Sequence, residues 1–535
     1  MINQEAKVEK SAGLNESEKR LVKLGKKVFL ELWSYPNVYY KPGKELTDLL
    51  VVCDNHVLIF SDKKIKFNMN IDVSVAWKRW HNKAVIESIQ QLRKAEQKIK
   101  MFPEKIFLDP QCKQKLHVPL PQAKDMKIHL ICVANGAKEA CKKRFGVNCT
   151  GSLMFTTDLE KMKKSKEYYK KLHEETENKV VTTENQLANG EFYITDYDNT
   201  KTFIHVFDDF SFPFVLNELD TLRDFVNYLE EKEIFIRKAK GVSYTGEEDL
   251  LYHYIRNYDE RRRRHTFVNA PDRKIKETFC TFFEEDWNNL WSNPQYLSKK
   301  NADRISYVWD SLIQRTGFGI LSGETKSEHP KGNPHEGALR YMALEDRTSR
   351  RLLCERLKQA YDSYPIDIVP KDVDLPYVSL YYDYTNREQV YFFLQLKQLS
   401  TDSYATYRKK RRDLIEAYGM CLKAKFVDEL PQHPLKRIIA IGIEPVKYSK
   451  TTSEDIAFID CSQWTDEQQQ RFRELRNIMK IWRTPLDKAT KFQAKEYPDV
   501  VSKKVGRNDP CPCQSGKKYN CLLYTSDAAD DRISV

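Results

Sequence analysis

Hydrophobic positions along the chain switch between two periods, and the switches mark out the elements. Residues 15–33 (NESEKRLVKLGKKVFLELW) place Leu21, Leu24, Val28 and Leu32 at helical spacing, with Asn15 and Glu18 set as a capping pair. After Pro36, the runs at 46–53 (LTDLLVVC) and 56–62 (HVLIFSD) predict two strands, and the polar pair Asp54–Asn55 predicts a hairpin between them. Helical spacing returns over residues 75–100, through Trp77, Trp80, Ala84, Ile89, Leu92 and Ile99. Apolar runs at 105–108 and 128–134 then predict further strands, and 152–156 and 202–207 are shorter candidates. The order helix, strands, helix, strands predicts an α/β core, of the mixed α+β kind.

Residues 216–257 read as helical, and the charged stretch 258–274 is the natural boundary. The pattern therefore divides into a first region, 1–260, with its core at 15–135, and a second mixed α/β region at 275–490. The second has helical segments near 303–315, 349–362 and 408–424, and strands at 376–382, 437–443 and 455–460. Thr465-Asp466-Glu467-Gln468 has the form of a capping box. A polar stretch, with the linker at 491–505, leads to a short cysteine-bearing tail, and no internal repeat is present.

Composition narrows this picture. A chain of 535 residues exceeds one ordinary core, and a hydrophobic fraction of 41% suffices to fill two or three. No run of eighteen or more apolar residues occurs, which argues against membrane insertion, and the polar start lacks a secretory apolar segment. Most of the 12 cysteines stand singly, which predicts reduced thiols in a cytoplasm. The net charge of +12 favours a polyanionic partner such as nucleic acid. Basic residues cluster at Arg261–Arg264 and Arg408–Arg412, the latter just after Tyr404 and Tyr407. That second run suits phosphate contact with aromatic stacking, or else a solvated helix face.

Candidate chemistry sits in the hairpin. Side chains alternate along a strand, so Asp62 and Lys64 share one face. A three-residue loop, 54–56, sets Asp48 opposite Asp62 on that face, whereas a two-residue loop slips the register and separates them. Two carboxylates and a lysine at one end of an apolar sheet suit metal-assisted phosphodiester hydrolysis. Mg²⁺ takes oxygen ligands and keeps several waters, so two carboxylates and a substrate phosphate can hold it. A lysine beside them orients the attacking water or offsets developing negative charge. Glu18 lies on the inward stripe of the first helix, where it either reaches the same metal or only caps the helix. An acid-x-lysine triplet alone is weak in a chain with 31% charged residues; the weight lies in both acids interrupting adjacent apolar strands.

A helix with Glu18, a hairpin with Asp48 and Asp62-Lys63-Lys64, and a following helix with Gln90-Gln91 together resemble the PD-(D/E)XK nuclease superfamily over about the first 110 residues. The resemblance implies a restriction-endonuclease-like core, with Asp48 and Asp62 holding Mg²⁺ or Mn²⁺ and Lys64 as the catalytic lysine. Glu18 and Gln91 would be accessory. Thr47 stands where many members have proline, and Lys63 rivals Lys64 if the register differs.

The tail carries a second signal. Residues 506–519 (GRNDPCPCQSGKKY) resemble the SEC-C motif, a small zinc-binding element also found at the end of the preprotein-translocase ATPase. By that resemblance Cys511 and Cys513 supply two zinc ligands and residues 522 and 523 the other two, and the tail docks a protein partner. Leu522 and Leu523 stand there instead, so the motif, 506–520, is expected to be truncated. Residues 521–535, beginning CLLYTSDAAD, resemble a translated sequencing adapter. Bacterial proteins that join a nuclease-like region to such a tail are similar in layout. A translocation ATPase is not expected, because Gly319-Ile-Leu-Ser-Gly323-Glu-Thr-Lys lacks phosphate-loop spacing. The expectation is a metal-dependent nuclease or nuclease-like protein; the alternative is a non-catalytic interaction protein.

Overall fold

The computed structural model describes residues 10–146, 149–157, 191–259, 264–267, 272–282, 286–322, 334–364, 376–382, 388–429, 435–445, 453–462 and 464–479. These form two compact units that divide between Asn301 and Ala302. The linker and tail, with Cys511 and Cys513, lie outside the described residues, as do Arg261, Arg262 and Arg263 of the first basic run.

In the first unit, α1 (Glu16–Val28) starts where the Asn15 side chain accepts the Glu18 N–H at 3.0 Å. It stops short of residue 33: Leu30 takes φ +65°, and a single 3₁₀ turn (Glu31–Trp33) feeds β1 (Ser34–Lys41). β1 is the outer strand of the sheet, where Pro36 is tolerated, and that proline hides the strand in the sequence pattern. β2 (Lys44–Cys53) and β3 (His56–Lys64) form the hairpin, and the helix after them runs as α2 (Val73–His81), a π turn (Asn82–Ile86) and α3 (Glu87–Met101). The apolar run at 105–108 makes only an isolated bridge, Tyr39 to Phe107.

β4 (Lys127–Asn135) leads into α4 (Lys138–Phe145) and the short strands β5 (Met154–Thr156) and β6 (Tyr193–Ile194), before β7 (Ile204–Asp208). The main sheet has the order β1-β2-β3-β4-β7, antiparallel through β3 and parallel beyond. One face packs on α1: Leu49 lies against Gly25, and the Phe60 ring lies tilted against Phe29 with ring centroids 5.7 Å apart. The other packs on α3, where Ser61 Oγ meets Ser88 Oγ at 3.2 Å.

The helical stretch read over 216–257 is three helices with a strand between the second and third. These are α5 (Ser211–Glu218), α6 (Leu222–Lys238), β8 (Gly241–Tyr244) and α7 (Glu247–Arg256). A four-residue strand is too short to show a period. β8 pairs in parallel with β9 (Phe279–Phe282) in a second sheet ordered β9-β8-β5-β6.

The second unit has helices α8 (Tyr307–Leu321), α9 (Pro334–Ala343) and α10 (Arg347–Asp362), and the strands β10 (Tyr377–Tyr382) and β11 (Gln389–Gln395). It continues with α11 (Tyr404–Glu429), β12 (Arg437–Ile443), β13 (Glu454–Asp460) and α12 (Asp466–Met479). Its sheet is ordered β10-β11-β12-β13. Thr465 does cap α12, its Oγ1 accepting from Gln468 N–H at 3.2 Å.

The Arg408–Arg412 run is divided: Lys409 and Arg412 are exposed, as a solvated helix face requires, whereas Arg408 is half-buried and Arg411 turns inward. Arg411 is fully buried, paired with Asp455 at 2.7 Å and Glu444 at 3.8 Å, while Arg408 also binds Asp455. Tyr407 is buried too, its hydroxyl donating to Leu396 O at 2.7 Å. These groups hold α11 to β13, so they are unavailable for stacking on bases. No helix among the described residues is long and apolar enough to cross a membrane, and none of the nine described cysteines is in a disulfide.

Candidate metal centre at a strand fork

The hairpin turn is the two-residue one, Asp54–Asn55, with Asp54 at φ +55°. Pairing runs from Cys53↔His56 to Leu49↔Phe60. Continued regularly, it would set Asp48 opposite Ser61, on the sheet face away from Asp62. The ladder ends at Leu49 and Phe60 instead, and the strands fork. Beyond that point Asp48 Oδ2 accepts from the Asp62 backbone N–H at 2.6 Å, a side chain standing in for a backbone rung. Asp48 therefore reaches Asp62 along the sheet plane, by a route that neither loop length alone foresees.

Asp62 is held on the α1 face. Its Oδ1 accepts from Asn135 Nδ2 at 2.6 Å, the Ser17 side chain also bonds its carboxylate, and its Oδ2 is buried without a partner. Burial is the largest influence on both acids: it pushes Asp48 up to about 7 and raises Asp62 above the usual carboxylate range. Among the described residues, no ion pair compensates either one. Glu18 is buried beside them and does cap the helix region, accepting from Leu14 N–H at 2.7 Å and from Asn37 Nδ2 at 3.1 Å. Its charge also pushes Asp62 further up, so the capping and site positions coincide. Glu45, which sequence reasoning passed over, joins the group through Asn37 at 2.8 Å and is likewise raised by burial.

The two lysines divide. Lys64 lines a half-open cleft of about 80 Å³ with Asp62, Ser17, Arg20, Asn135 and Asp209. Lys63 exerts its charge on Asp48, Asp62 and Glu45, lowering each. Gln91 lies on the α3 side, its Oε1 accepting from Ser61 Oγ at 3.3 Å. Asn135 was legible only in hindsight: it ends β4 beside Lys64 and so stands at the same sheet end as the acids.

A second group of ligand-type side chains gave no sequence signal. His56 on β3 and His129 on β4, 73 residues apart, bring Nδ1 and Nε2 to 3.3 Å. With Glu230 of α6 they place three ligand atoms within 4.8 Å of one another. Burial drives the two rings down, to about 3 for His56 and about 4 for His129.

Residues 507–519 match the SEC-C motif. The SEC-C motif is consistent with a metal-binding or interaction element at this end of the chain. A stretch of 90 residues is 36% identical to protein translocase subunit SecA of Bacteroides thetaiotaomicron, covering 16% of this chain and 8% of SecA. The chain thus spans a small fraction of that relative's length. No solved structure matches the chain.

Proposed function

We propose that the first unit is a metal-dependent phosphodiester hydrolase of the PD-(D/E)XK kind, acting on nucleic acid. The observation that carries this reading is the fork, where Asp48 accepts the Asp62 backbone N–H, both acids are buried with no ion pair and only the field of Lys63 against their charge, and one Asp62 oxygen lacks a hydrogen-bond partner. A buried carboxylate without an ion pair is costly, and a bound cation removes that cost. The donor set is all oxygen, which fits Mg²⁺ or Mn²⁺. The helix, three-strand, helix, strand order and the two faces of the sheet further support the resemblance.

In this reading Asp48 and Asp62 hold the ion, and Glu18 and Glu45 add negative field behind them. A divalent ion bound there would acidify a water and neutralise charge on the scissile phosphate. Lys64, in the open cleft, orients the attacking water or faces the leaving oxygen. Asn135 fixes the Asp62 rotamer. Gln91 supports β3 from the far face through Ser61.

The SEC-C match favours a second role for the other end. We read Cys511 and Cys513 as zinc ligands of a docking element for a protein partner, a fold that forms around its ion. The purified chain, incubated with DNA and RNA with and without Mn²⁺ or Mg²⁺, tests the catalytic reading. Metal-dependent cleavage that Asp62→Ala and Lys64→Ala abolish supports it. Equal cleavage in all three proteins, or none in any, leaves the interaction role alone.

A further inference from the structure

The geometry points to a zinc site formed by His56, His129 and Glu230, separate from the acid fork and serving as a clamp between the main sheet and α6. His56 opens β3, and Asp62 lies six residues on, so the two sites are roughly 20 Å apart along one strand.

Several observations converge on a metal. His56 Nδ1 and His129 Nε2 are 3.3 Å apart. That is long for a good hydrogen bond, but about 3.3 Å is the edge of a tetrahedron whose metal–nitrogen bonds are ~2.05 Å. Both rings are buried, which favours neutral imidazole, the form that binds metal. They come from neighbouring parallel strands and lie on one sheet face, so their aim at a common point is fixed by the sheet. Glu230 approaches from α6 with its side chain partly exposed, and a carboxylate oxygen lies within 4.8 Å of both ring nitrogens. Two histidines and a glutamate form a known zinc ligand set, and water from the exposed Glu230 side supplies the fourth ligand.

The surrounding charges are mixed. Lys127 of β4 pairs with Glu230 at 3.6 Å, yet its side chain is 52% exposed and free to turn into solvent. Arg223 of α6 adds positive field at His56. His205 of β7, on the same face as His129, is fully buried with Nδ1 unpartnered and extends the row of imidazoles. Without metal, Glu230 is held by Lys127; with zinc, it exchanges the lysine for the ion and ties α6 to the sheet.

The test uses the full chain with Cys511→Ser and Cys513→Ser, which silences the tail, stripped with chelator and titrated with Zn²⁺. One equivalent should bind and raise the unfolding temperature, and Co²⁺ in its place should give d–d absorption without a thiolate band. Glu230→Gln, partly exposed and harmless to the core, should weaken zinc binding at least about 10-fold. His129→Phe should abolish it, while Asp62→Ala should leave it unchanged. Failure of the double-serine protein to hold zinc, or equal binding in Glu230→Gln, would overturn the site whatever becomes of the acid fork.

Discussion

Removing the charge of Asp48 should change how stability depends on pH. Burial places this carboxyl at about 7, against an ordinary value of 3.8. A group that holds its proton more tightly when folded stabilises the protein at low pH, and that contribution is lost as pH rises from about 4 to about 7. A shift of about 3 units at ~1.4 kcal/mol each sets a ceiling of ~4 kcal/mol on the cost of ionising it. Asp48→Asn keeps an oxygen to accept the Asp62 N–H while abolishing the titration. In EDTA, urea unfolding of the first unit at pH 5 and pH 8.5 should show wild type losing about 2–4 kcal/mol more than the variant over that interval. Asp208 and Glu248, also raised by burial, to about 6 and about 7, titrate in both proteins and cancel in the difference. Added Mg²⁺ at pH 8.5 should restore wild type and leave the variant unmoved. Parallel pH curves would refute a buried Asp48 without an ion pair.

Other substitutions probe its surroundings. Gly136 sits at φ +108°, where an added Cβ would lie 2.1 Å from Ile65 O, so Gly136→Ala should cost on the order of 3 kcal/mol; an unchanged urea midpoint would contradict this. In the second unit, Arg411→Met removes the buried cation paired with Asp455 and Glu444, and should destabilise by roughly 3 kcal/mol by the same measurement. Lys64→Ala should lower kcat about 100-fold or more, and Lys63→Ala, which acts only through the field at the acids, should lower it far less. The reverse order would assign the catalytic lysine to Lys63.

The hairpin was legible because LLVV and HVLIF are apolar runs bounded by a turn pair, and the α2–α3 stretch because Trp77, Trp80, Ala84, Ile89, Leu92 and Ile99 keep helical spacing. Other strands left no such trace. Pro36 masks β1, and β11 (QVYFFLQ) is buried on both faces, so it shows no alternation to read. The acids of the site were visible as interruptions in apolar runs. The bond from the Asp62 backbone to Asp48 was not, since it depends on Asp48 replacing a backbone rung where β2 and β3 part. Arg411 and Tyr407 show the converse: a basic, aromatic run looks like a surface until its counter-charge, Asp455, arrives from a distant strand. The His56–His129 pair likewise comes from parallel strand pairing, which no local spacing encodes.

The most direct measurement is anomalous diffraction at the manganese edge from crystals of the full chain grown with Mn²⁺. A peak between the carboxylates of Asp48 and Asp62, about 2.2 Å from Asp62 Oδ2 and absent in Asp62→Ala, is the predicted result. An ordered fork with no peak at millimolar Mn²⁺ would contradict a metal-dependent centre at this position.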